Sequence, residues 1–146
     1  MQISIKQIVT ALGGEQLIKR SIRHELDLLE IVREGLPMES VAHLQKNMGF
    51  TNKTMSHILA ISESTYQRRI RSGTKLSQDE TEKAISLSEV FETGKELFKK
   101  PEDFRFWLES KNYALGGERP MDLLDSAFGR AQLLEILGRM KYGIYS

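Results

Sequence analysis

Apolar residues recur along this chain at intervals of three and four, the helical period, and no stretch alternates as a half-buried strand would for more than a few residues. The pattern predicts an all-α protein. Only Gln2 to Ile5 leaves room for a short strand or a frayed terminus. Ile18, Ile22, Leu26, Leu29 and Val32 form a stripe that reads as one helix of roughly five turns, stopped by Gly35 and Pro37. Val41, Leu44 and Met48 predict a second helix reaching Gly49, and Thr51 opens a third with Met55, Ile58 and Leu59 turned inward.

The rear of the chain repeats these signals. Ser77-Gln78-Asp79-Glu80 is a capping-box pattern, in which hydroxyl and carboxylate satisfy each other's backbone donors at a helix start. A long helix should follow, with Ile85, Leu87, Val90, Phe91, Leu97 and Phe98 as its apolar positions. Pro101 suits the first turn of the next helix, whose buried face is Phe104, Trp107 and Leu108. Leu115 to Pro120 reads as a turn into a further helix from Pro120 to Ala127, and Gly129 separates that helix from a last one ending near Lys141. The last helix spreads apolar side chains from Ile136 through Met140 and Leu133 to Leu134 and Ala131. That arc is wider than one neighbour needs, so it is either buried from two sides or partly reserved for another chain. The pentapeptide Ala11 to Glu15 recurs at Ala114 to Glu118, but the flanks differ, which favours two similar turns over a duplicated unit.

Within Thr51 to Gly73 the pattern is helix, tight turn, helix, with Ile61 as an apolar plug and Ser62 placed to cap the second helix. Tyr66 and Ile70 set the buried direction of that helix. Its opposite face then carries Ser64, Arg68 and Arg71, flanked by Thr65, Gln67 and Ser72. Guanidinium and amide groups make paired hydrogen bonds to base edges, and hydroxyls and Arg grip phosphates, so this face reads as a DNA-recognition surface. Arg69 lies nearer the core edge, suited to a phosphate or to an internal ion pair; Lys53 and Lys75 flank the helix. Ala60 stands where such turns usually carry glycine, and Glu63 would repel phosphate.

Composition narrows the chemistry. At 146 residues, 40% hydrophobic and 28% charged, the chain can build one compact domain or two small ones. It has no cysteine, which excludes disulfides, a thiolate nucleophile and cysteine-bound metals, and neither a signal-peptide pattern nor a long apolar span is present, which predicts a cytosolic protein. The net charge of +1 conceals a division: residues 1–75 carry 11 Lys and Arg against 7 Asp and Glu, residues 76–146 carry 10 against 13. A basic front suits a polyanion and an acidic rear suits a protein. His24, His43 and His57 fall on three different predicted helices without a carboxylate at metal-ligand spacing, Gly116-Gly117 lacks the rest of a dinucleotide loop, and Asp122 and Asp125 read as solvated charges. No catalytic constellation emerges, and no cofactor or metal is expected.

Taken in order, Gly35-Leu36-Pro37, Ile61 to Arg69, Leu76-Ser77, Trp107-Leu108, Asn112, Ala114 to Gly117, Pro120 to Leu124 and Tyr142-Gly143 resemble the Xre/MbcA/ParS antitoxin family from about Asp27 to the last residue. The departures are Ala60, Tyr66 where leucine is common, and Lys111 where a proline often precedes the asparagine. The resemblance implies a non-enzymatic type II antitoxin divided into residues 1–26 with no assigned role, a helix-turn-helix domain over 27–75 and a toxin-binding domain over 76–146. Its expected partners are operator DNA, a RES-type toxin related to ADP-ribosyltransferases and consuming NAD, and a second copy of the chain, with no membrane. The resemblance places its motif over Ser62 to Arg69, on the same helix as the face read above, and the expected DNA contacts are Ser62, Ser64, Thr65, Gln67, Arg68 and Arg69 within the motif, with Arg71 and Lys75 beyond it. Toxin contacts are expected at Leu115, Gly116, Gly117, Arg119, Pro120, Asp122, Arg139, Tyr142, Gly143, Tyr145 and Ser146, the aromatic tail being an insertion element near the mouth of the toxin's active site. The alternative is a free-standing helix-turn-helix regulator whose rear domain serves dimerisation or an effector.

Overall fold

In the computed structural model, which describes residues 3–143, the chain starts with a reciprocal cap. Ser4 Oγ accepts from Gln7 N at 3.1 Å while Ser4 N donates to Gln7 Oε1 at 3.0 Å, which opens α1 (Ile5–Ala11); Ile3 and Ser4 ahead of it form neither helix nor strand, and Gln2 lies outside the described residues. The expected five-turn helix is two elements. Lys19 at φ 64° closes α2 (Gly14–Ile18), and the amides of Arg23 and His24 donate to Asp27 Oδ2 at 2.7 and 3.0 Å to open α3 (Glu25–Glu34). The break reorients the stripe: Ile18 and Ile22 are buried, whereas Leu26 and Leu29 are exposed and α3 turns Ile31 inward instead.

The elements that follow are α4 (Met38–Met48), α5 (Asn52–Leu59), α6 (Glu63–Ser72), α7 (Gln78–Leu97), α8 (Pro101–Glu109) and α9 (Ala127–Lys141). Four of them start at a signal read from the sequence: Thr51, Ser62 and Ser77 accept from the third amide of α5, α6 and α7, and Pro101 occupies the first turn of α8; α9 starts instead at Ser126, whose Oγ accepts from Gly129 N at 2.9 Å. Between α8 and α9 lie two short 3₁₀ turns, Tyr113–Leu115 and Pro120–Leu123. The predicted Pro120–Ala127 helix is therefore the second of these turns, and Gly129 is no separator. It lies in the first turn of α9, where an added Cβ would collide with Leu123 O. Its missing side chain lets the 3₁₀ turn press against the helix. The repeated pentapeptides are two turns, with positive φ at Gly13, Gly14, Gly116 and Gly117.

α7 is the organising element. It buries Ala84, Leu87, Val90 and Phe91 and packs against α1, α3, α4, α8 and, most extensively, α9. Residues 3–22 belong to this core, with Ile8, Val9, Leu12, Ile18 and Ile22 all buried in it. The segments on either side of the helix-turn-helix are stitched together: Leu76 N donates to Leu36 O at 2.9 Å, and Leu36 N to the buried Thr81 Oγ1 at 3.1 Å. An isolated antiparallel bridge between Pro37 and Lys75 accompanies them, and no strand forms among the described residues.

Candidate nucleic-acid and protein interfaces

α6 is held as a rigid rod by contacts at its start, middle and end. At its start Ser62 Oγ accepts from Thr65 N at 3.1 Å and donates to Thr65 Oγ1 at 2.8 Å, with Ser64 Oγ 3.3 Å away. In its middle Tyr66 is fully buried and its hydroxyl donates to Gln45 Oε1 on α4. The same Gln45 amide donates to Phe50 O at 3.1 Å and to Asn52 Oδ1 at 2.8 Å. Tyr66 thus does the apolar anchoring expected of leucine and adds a polar tie, and burial pushes its hydroxyl pKa upward. At the end of α6 Arg69 makes a paired contact with Glu80 on α7, at 2.9 Å from Nη1 and 2.7 Å from Nη2. Of the two roles open to Arg69, the fold gives it the internal ion pair.

What remains outward is the expected face. Ser64, Arg68, Arg71 and Ser72 are exposed, Thr65 and Gln67 are half-buried, and Lys53 and Lys75 are exposed beside it. Ser62 is also exposed, but its oxygen is engaged as the cap. Glu63 is exposed in the first turn, where a carboxylate favours the helix dipole. Ala60, between α5 and α6, takes φ 61°, the left-handed conformation that glycine usually supplies.

The rear surface is built on a closed loop. Asn112 Oδ1 accepts from Ala114 N at 2.8 Å, Asn112 O from Gly117 N at 2.9 Å, and Asn112 N donates to Glu118 O at 3.0 Å. Leu115 and Gly117 are half-buried, Gly116 is exposed and Pro120 is buried. Arg119 grips Asp122 through Nε at 3.0 Å and Nη2 at 2.8 Å, which lowers the Asp122 pKa and raises that of Arg119. Arg139 pairs with Glu135 one turn away on α9. Tyr142 is 64% exposed beside Arg139, Leu134 and Glu89, and Gly143 follows at positive φ; Tyr145 and Ser146 lie outside the described residues.

The apolar arc of α9 is divided. Leu133, Ile136 and Leu137 are buried, Leu134 and Met140 half-buried and Ala131 exposed. Ile136 and Met140 line one side of an open groove whose other side is Trp107, Tyr113 and Ala114. Three exposed aromatic side chains were not selected from the sequence: Tyr113, which lines this groove, is 100% exposed, Phe128 at the start of α9 76% and Phe106 on α8 75%. Phe106 was visible in principle, because two residues from both Phe104 and Leu108 is the opposite side of a helix. The histidines are dispersed: His24 caps α3, His43 lies 3.0 Å from Asn47, and His57 lies 3.5 Å from Asp125.

Two segments of the chain match domains of known proteins. The model of the antitoxin Xre-like helix-turn-helix domain matches residues 27–88, and that of the antitoxin Xre/MbcA/ParS C-terminal toxin-binding domain matches residues 93–143. Antitoxin Xre of Photorhabdus laumondii is 27% identical over 117 residues, covering 80% of this chain and 79% of that protein. A Sphingobium protein named Prs ADP-ribosylating antitoxin is 24% identical over 130 residues, covering 83% and 82%. With both domain models matched in order, the chain belongs to the Xre/MbcA/ParS family of antitoxins.

Proposed function

We propose that this chain silences a RES-type, NAD-consuming toxin by covering its substrate entrance with the rear surface, without chemistry of its own, and that the α6 face binds operator DNA in autoregulation. The observation that carries the reading is that four aromatic side chains within the toxin-binding match are left in solvent: Phe106, Tyr113, Phe128 and Tyr142. Large exposed aromatics are costly to leave uncovered and are the side chains that dominate protein interfaces. The groove of Trp107, Tyr113, Ile136 and Met140 offers a seat for an apolar element of the toxin, with Lys111 and Asn112 as its polar lining. The name of the Sphingobium relative supports an ADP-ribosyltransferase-like partner. Two copies form the repressor in this reading, with exposed Leu26 and Leu29, three residues apart on α3, as apolar surface for pairing.

The test is co-expression with the product of an adjacent RES-like reading frame, followed by native mass measurement of the complex. Truncation after Lys141 should weaken neutralisation. Full protection from toxicity by the truncated chain, with unchanged complex mass, removes the tail from the account, and failure to co-purify at all removes the toxin assignment.

A further inference from the structure

A cleft of about 130 Å³ lies between the end of α4, the end of α7 and the start of α8. Its floor is aromatic: Phe104 is buried, and Phe98 stacks on it at 5.4 Å between ring centres. Its rim is cationic. Lys95, Lys99, Lys100 and Arg105 all line it and no carboxylate does. These are four of the ten Lys and Arg residues in the acidic half of the chain, gathered within eleven positions. Lys95 is held by Glu92 at 3.2 Å and lies over the Phe91 ring at 5.3 Å. Lys99, Lys100 and Arg105 have no ion-pair partner among the described residues; the nearby Glu102 and Asp103 are exposed on the first turn of α8 and do not enter the cleft.

Arg105 supplies the second observation. Its Nε is buried without a hydrogen-bond partner, a costly state for a charged group. The guanidinium lies over Gly49, where an added Cβ would be 2.5 Å from Nη2. A bond from Arg105 to the end of α4 would have explained its position, but none forms among the described residues. An oxyanion in the cleft would meet the Arg105 guanidinium, which lines it, and be ringed by three ammonium groups, while the phenyl floor keeps it from being fully hydrated.

We propose that this cleft binds a phosphate group. Gly49 is two residues before Thr51, the cap of α5, and the first helix of such a motif crosses the DNA backbone. A DNA phosphate and a free phosphate compound are therefore the two sources. The DNA source rests on the operator reading above; the phosphate chemistry does not.

The test uses the full chain, ¹⁵N-labelled, titrated with inorganic phosphate at constant ionic strength. Saturable shifts are expected at Gly49 and across residues 95–105, and Lys99→Gln with Lys100→Gln should weaken binding about tenfold, the factor worth roughly one charge-assisted hydrogen bond. Absence of saturable shifts, or equal affinity in the double variant, overturns the proposal whatever DNA does. In a second arm the wild type and double variant bind a duplex taken from upstream of the gene over a range of salt. Loss of two phosphate contacts makes the slope of log K against log salt shallower by about 1.8 and assigns the site to DNA. An unchanged slope with phosphate binding intact assigns it to a free phosphate compound. If no duplex binds, the operator reading fails and the phosphate site stands on the first arm alone.

Discussion

The guanidinium of Arg69 and the carboxylate of Glu80 face each other in a two-bond pair, and Glu80 simultaneously accepts from Ser77 N at 2.9 Å. One carboxylate therefore caps α7 and fixes the end of α6. The outward face of α6 and the central helix are coupled through it.

This coupling has a pH signature. Arg69 foremost, with help from Ser77, holds the Glu80 pKa down at about 2, against its ordinary 4.5. A carboxyl whose pKa is depressed by folding contributes stability that is complete above the ordinary value and is lost as pH falls from about 4.5 toward 2. Urea unfolding midpoints of the wild type should drop across that window, and those of Glu80→Gln should drop less. Arg69→Ala at neutral pH should cost about 2 kcal/mol, because it leaves a half-buried carboxylate without its cation.

At Ala60 the left-handed backbone strains a residue with a Cβ by about 1–2 kcal/mol, while glycine there loses about 0.4–1 kcal/mol to unfolded-state entropy. Ala60→Gly should therefore raise stability by roughly 0.5–1 kcal/mol in chemical denaturation. DNA affinity should be unchanged.

Arg68→Ala combined with Arg71→Ala removes the two exposed guanidinium groups of α6. Operator binding should weaken, and its salt slope should become shallower by up to about 1.8 where both groups lie on phosphates. Because both side chains are exposed, the thermal midpoint should stay near wild type. Unaltered DNA binding in a titration over salt would remove α6 as the reader.

Tyr113→Ala and Phe106→Ala should leave stability within about 0.5 kcal/mol of wild type, since neither side chain is buried in this fold. Toxin affinity measured by calorimetry should fall by about 2 kcal/mol at each position that is an interface anchor. Wild-type affinity in both variants would place the toxin elsewhere.

Much was legible because its cause is local. Ser62, Ser77 with Glu80, Thr51 and Pro101 mark helix starts through groups within one turn, so their spacing alone announces them. The outward face of α6 followed likewise from the angle between consecutive residues once Tyr66 and Ile70 were taken as inward. The Ile18–Val32 stripe misled because periodicity does not register an interruption: Lys19 turns left-handed and Asp27 collects the amides of Arg23 and His24, which resets the phase between two short helices.

The sequence by itself determined that the chain is helical, where most helices begin and which basic residues share a face, since these depend on neighbours along one turn. Tertiary structure alone decided the rest. It placed residues 3–22 in the core against α7, directed Arg69 to Glu80, buried Gly129 under Leu123, and left Tyr113 and Phe128 in solvent. Each of these depends on which distant segment lies opposite, and burial and pairing are properties of that juxtaposition, which no local spacing encodes.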